Sequence, residues 1–179
     1  MTNLTKSVIT INAKSTKDAE EFIDRVSGSS FFPSDNREDA EVFDFARIIP
    51  YEESLLAGDM LDMFGMSEIK YCWSEMNWGS VGNAHDVSVE VKSKVVVYDF
   101  HTEGYPPYLV AEKIRRMISS GELPKLEVDW KLIYEDGATV DMFEEIDRMD
   151  ITQWGVAYET TLTSWIRKGE MENDLRAYS

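Results

Sequence analysis

With 179 residues, 43% apolar and 12% aromatic, the chain is sized for one domain with a real hydrophobic core. Its 34 acids against 18 bases give a net charge of −16, which argues against nucleic acid and anionic membranes as direct ligands. A single cysteine excludes an internal disulfide and a cysteine metal cluster. No run of about 18 apolar residues offers a membrane span, and the opening "MTNLTKSVITIN" lacks the basic-then-apolar order of a signal peptide. A cytoplasmic protein is the expectation.

The alternating "SVITINA" (7–13) predicts a first strand, with Val8 and Ile11 in the core. "STKDAEEFIDRVSG" predicts a helix over about 16–27. Ala19, Phe22, Ile23 and Val26 form its stripe, Ser15 with Asp18 forms a capping box, and Gly28 is its stop. "EVFDFARIIP" (41–50) reads as the second strand, ended by Pro50. A short inserted helix follows near 52–65, its Leu55, Leu56, Met60, Met63 and Phe64 inward.

"MNWGSVGNA" (76–84) has no clear period. Trp78 there reads as a core plug, with Gly79 and Gly82 permitting a turn. "DVSVEVKSKVVVYDFHT" predicts two strands joined near Lys92-Ser93-Lys94, with Val87, Val89 and Val91 on one face of the first. "YLVAEKIRRMISSG" predicts a helix entered at Pro106-Pro107 and closed at Gly121, with Val110, Ala111, Ile114, Met117 and Ile118 as its stripe. "LEVDWKLIYEDG" is the plainest strand: Leu126, Val128, Trp130, Leu132 and Tyr134 share one face and charged residues take the other. "VDMFEEIDRMD" reads as a short acidic helix and "WGVAYETTLTSWI" as a further strand. The order β-α-β, helical insertion, β-β-α-β, with helices on one face of an antiparallel sheet, is the ferredoxin-like plan of an α+β domain over 1–140. Residues 141–179 form a C-terminal extension packed on the same domain.

Charge is unevenly spread. Residues 35–68 hold ten acids against two bases, and residues 120–150 hold ten against three. The rest of the chain is close to neutral.

Four pieces, in order, resemble the YubB-type ferredoxin-like proteins carried by bacteriophages and plasmids. "FDFARIIP" (43–50) is similar to that family's second strand, "NWGSVGNA" (77–84) to its Trp-Gly segment, "FHTEGYPP" (100–107) to its strand exit, and "LPKLEVDWKLIYEDG" (123–137) to its last strand. Where the family has Lys-Trp after its Trp-Gly-Thr, this chain has Val81-Gly82. The resemblance covers roughly residues 5–140. It implies fold and genetic context, a protein acting inside a bacterial host, rather than any particular chemistry, since the family has no well-established enzymatic activity.

The residues name no reaction and no cofactor. "WGSVGNAHD" has no lysine and leads into a strand, which excludes a phosphate loop. Cys72 or Ser80 with His85 lacks an orienting acid, so no nucleophile–base pair stands out. His85, Asp86, His101 and Glu103 are the metal-ligand types within reach of one hairpin, with Asp86 and His101 facing each other if the strands pair. A metal site or cryptic enzymatic pocket at His85/His101 is therefore the alternative to a binding function, and a homo-oligomeric structural or regulatory module is another.

The leading expectation is an accessory protein that binds and inhibits a bacterial nucleic-acid-handling or defence complex, in the manner of an anti-CRISPR. Its carboxylates at Asp35, Glu38, Asp39, Glu41, Asp141, Glu144, Glu145, Asp147 and Asp150 would mimic a phosphate backbone toward a basic partner. Trp73, Trp78, Tyr105 and Tyr108 are the candidate aromatic anchors. The helices at 52–65 and 141–150 offer a homodimer contact.

Overall fold

A computed structural model describes residues 4–28, 37–50 and 73–149. The inserted helix at 52–65, Cys72 and the strand within 154–166 lie outside the described residues.

Strand β1 (Leu4–Ala13) buries Thr5, Ser7, Ile9 and Ile11 on one face and turns Lys6, Val8 and Thr10 to the other. A strand's period of two makes Ile9, not Val8, the companion of Ile11. Helix α1 (Thr16–Val26) opens on the expected capping box: Asp18 N donates to Ser15 Oγ and Ser15 N to Asp18 Oδ2, both at 3.1 Å. Ala19, Phe22 and Val26 are its buried stripe.

The expected strand at 41–50 is not formed. Residues 37–50 hold two short helices, α2 (Arg37–Val42) and α3 (Phe45–Ile48), joined at Asp44. Phe43 and Phe45 suggest alternation, but Asp44 between them is an N-cap whose side chain accepts from Ala46 N at 2.9 Å. The elbow sends both phenylalanines inward. Phe43 stacks on Phe100 at 5.2 Å, and Phe45 meets Trp78 edge-on at 5.6 Å.

Residues 73–78 are helical, and β2 (Val81–Lys92) and β3 (Val95–Glu103) then form the expected hairpin. Helix α4 (Tyr108–Ser120) buries Val110, Ala111, Ile114 and Met117 and ends at Gly121 in the left-handed region. Strand β4 (Leu126–Ile133) buries Leu126, Trp130 and Leu132, the expected face. A three-residue strand β5 (Thr139–Asp141) and helix α5 (Met142–Arg148) follow, the latter where a short acidic helix was expected.

All pairings are antiparallel, in the order β2-β3-β1-β4-β5. The protein is therefore α+β, with a five-stranded antiparallel sheet. Ile9, Ile11, Val96, Tyr98, Phe100, Trp130 and Leu132 form the sheet's buried face. Phe22 of α1 meets Tyr98, and α3 touches both α1 and α4, so these three helices share that face. Helix α2 packs on β2, and α5 packs on α4, β4 and β5. At the hairpin's far end Val89 and Val91 of the edge strand β2 point to the helix side yet are 41% and 53% exposed, while their partners Tyr98 and Val96 on β3 are fully buried. Among the described residues, no helix is long and apolar enough to cross a membrane.

The two glycines of "MNWGSVGNA" differ in what they permit. Both have positive φ, +85° at Gly79 and +83° at Gly82. A Cβ on Gly79 would stand 3.1 Å from Tyr108 N and 3.2 Å from Pro106 O, whereas one on Gly82 would meet nothing within 4 Å. Gly82→Ala is expected to cost about 1 kcal/mol from backbone strain alone. Gly79→Ala should cost about 2–3 kcal/mol, because backbone must also move. Urea melts of the two variants check the order; equal costs would mean that the chain does not approach Gly79 closely.

Candidate functional site

The least regular part of the sheet is the first half of β2. Counted out from Lys92↔Val95 through Ser88↔Asp99, a regular ladder would set Asp86 opposite His101. The register shifts between Ser88 and His85, and His85 takes that place instead. Asp86 sits at the shift with φ +53°, a left-handed conformation that Asp tolerates better than most residues. The expected pairing of Asp86 with His101 is thus corrected by one residue.

Three side chains from the α2–α3 elbow and β2 fix this bulge. Asp39 accepts from Asp86 N at 3.0 Å and from Val87 N at 2.9 Å. Asn83 Oδ1 accepts from Phe45 N at 2.9 Å, while its Nδ2 donates to Asp44 Oδ1 at 2.8 Å. Asp44 is fully buried, so these are internal bonds between α3 and β2. Nothing in the sequence pattern pairs Asp39 or Asp44 with residues some forty positions on; Asp44 alone carries a local signal, as a cap before "FAR".

His85 and His101 face each other on the sheet side away from the α1–α3–α4 layer. Their rings are stacked, 5.9 Å between centroids and 26° between planes. Asp86 Oδ2 lies 3.3 Å from His85 Nδ1 and 3.9 Å from His101 Nδ1. His85 Nε2 and His101 Nδ1 are buried atoms with no hydrogen-bond partner. On the far side of His101, Lys6 of β1 turns its ammonium to Asp99 at 2.7 Å. Among the described residues no group of three His, Cys, Asp or Glu side chains is arranged to hold a metal ion.

The acidic candidates divide. Asp35 and Asp150 lie outside the described residues. Asp39 is buried under α2 and serves the bulge, so its carboxylate is withdrawn from any surface patch. Glu38 and Glu41 are exposed on α2. Asp141 caps α5, accepting from Phe143 N and Glu144 N, and holds Lys131 at 3.1 Å. Burial pushes the Asp141 carboxyl upward, but the Glu144 amide, the Lys131 ammonium and the Phe143 amide outweigh it and hold it below the usual carboxylate range. Asp147 pairs with Arg115 at 2.6 Å, and Arg148 sits between Glu144 and Glu145 at 3.3 and 3.5 Å. Exposed pairs of this kind add little stability, and Glu144 and Asp147 remain open to solvent.

Of the aromatic candidates only Tyr105 is a surface residue, 53% exposed. Trp73, Trp78 and Tyr108 are buried and cannot anchor a partner. Trp78 is the expected core plug, its indole donating to Ile49 O at 3.0 Å. Tyr108 lies at the mouth of α4, where burial and then its hydrogen bond with Tyr134 push its phenol well above the usual range. Comparison of the chain with family models, with curated proteins and with solved structures returned no match.

Proposed function

We propose that this chain acts by binding a basic bacterial protein or nucleoprotein complex, as a ferredoxin-like accessory protein of the YubB type. The ferredoxin-like reading is supported by the strand order β2-β3-β1-β4 with α1 and α4 on one face. The binding reading is carried by one observation: the acidic stretch after residue 120 folds as β4, β5 and α5, which pack on one another at a single edge of the sheet. Glu127, Asp129, Glu135, Asp136, Glu144 and Asp147 are exposed there. Exposed carboxylates held on rigid elements steer encounter with a basic groove built for phosphates. Inhibition of a nucleic-acid-handling or defence complex is the function this chemistry serves.

Capture from a bacterial lysate, followed by mass spectrometry, tests it. The retained proteins should be basic and nucleic-acid-handling, should leave the column as salt rises from about 0.05 to 0.5 M, and should be displaced by added DNA. Glu127→Lys with Glu135→Lys should lower recovery at least tenfold with the melting temperature unchanged. Salt-independent capture would exclude mimicry. Recovery of the chain alone would instead favour the homo-oligomeric module.

A further inference from the structure

We infer that His85 and His101 form a two-imidazole site for a divalent transition metal, with Asp86 as the carboxylate that orients His85. This is independent of the acidic edge and uses different residues. Directly opposed residues on antiparallel strands have Cβ atoms about 5 Å apart, and His85 and His101 are such a pair. Two nitrogens bound to one metal at about 2.0–2.1 Å lie roughly 3 Å apart. Rings whose centroids are 5.9 Å apart reach that by side-chain rotation, with the strand register unchanged.

The hydrogen bonding assigns the atoms. His85 Nδ1 donates toward Asp86 Oδ2 at 3.3 Å, which leaves the lone pair on His85 Nε2. That atom and His101 Nδ1 are the buried ring nitrogens of this pair that make no hydrogen bond. An imidazole held by a carboxylate on one nitrogen and free on the other is the usual form of a metal-bound histidine. A buried polar atom without a partner is costly, and a metal bond at each ring removes that cost. Imidazole nitrogen selects Zn²⁺, Ni²⁺ and above all Cu²⁺. Water completes the coordination, in keeping with the absence of a third ligand among the described side chains. The bulge is what makes the pair: without the one-residue shift, Asp86 and not His85 would oppose His101.

The test uses the full chain and Cu²⁺ as the probe. These are the only two histidines in the sequence, so a two-imidazole signal at one Cu²⁺ per chain reports this pair. The electron paramagnetic resonance spectrum should show hyperfine coupling to two imidazole nitrogens. His85→Ala and His101→Ala should each weaken Cu²⁺ binding at least tenfold, and Asp86→Asn about tenfold. Cu²⁺ should raise the melting temperature of the wild type and leave that of the double histidine variant unmoved. Coupling to a single nitrogen, one Cu²⁺ shared by two chains, or full affinity in the double variant would overturn the site. The spectrum of the wild type decides even if a variant fails to fold.

Discussion

Trp78→Ala is expected to remove about 4–6 kcal/mol of folding stability, a large share of the total. The indole is 1% exposed, meets Phe45 edge-on at 5.6 Å and Trp73 at 5.4 Å, and donates to Ile49 O at 3.0 Å. Removing a buried tryptophan costs about 3–5 kcal/mol in transfer and cavity terms, and the abandoned Ile49 carbonyl adds about 1 kcal/mol or more. A domain of this size holds only about 5–15 kcal/mol in all. Trp78→Phe separates the two parts: it keeps an aromatic face against Phe45 and Trp73, loses the donor, and should cost about half as much. Circular dichroism with urea titration reads both. A loss below about 1 kcal/mol for the alanine variant would show that the indole is not the core plug behind Phe45 and Ile49. The tryptophan most suggestive of a binding loop is therefore the residue least free to bind.

How much was legible follows from how local each signal is. The faces of β4 and α4 could be read because their periods, two and 3.6, run unbroken over eight or more residues. The capping box of α1 was legible because both halves lie within four residues of chain. The stretch 41–50 misled because "FDF" satisfies a period of two while Asp44 satisfies a helix cap; packing of Phe43 and Phe45 against Phe100 and Trp78 decided between them. Strand β5 is too short to carry a pattern. The His85–His101 pair was nearly legible: the turn at Ser93-Lys94 predicts a partner for His101, and only the bulge, held by residues remote in sequence, moves it from Asp86 to His85. Surface and core acids have no distinguishing letter, so Asp39 read like its exposed neighbours Glu38 and Glu41.

Asp39 is also where the second large effect is expected. Its two oxygens accept separate amides, Oδ2 from Asp86 and Oδ1 from Val87. Asn offers one acceptor and one donor, so Asp39→Asn keeps a single bond and sets an NH₂ against the other amide. Losing one charge-assisted bond and burying an unpaired donor costs about 2–4 kcal/mol, far more than a surface acid would. Chemical denaturation should show that loss, while Glu38→Gln and Glu41→Gln stay within about 0.5 kcal/mol of wild type. Hydrogen exchange locates it: the Asp86 and Val87 amides should lose protection before those of β1 and β4, since the left-handed turn at Asp86 has a conformational cost that only this carboxylate offsets from α2. Unchanged protection at both amides would mean that the bulge holds itself. If the carboxylate does hold it, the variant should bind Cu²⁺ more weakly as well, because a β2 free to return to regular register puts Asp86 back opposite His101 and takes the second imidazole away.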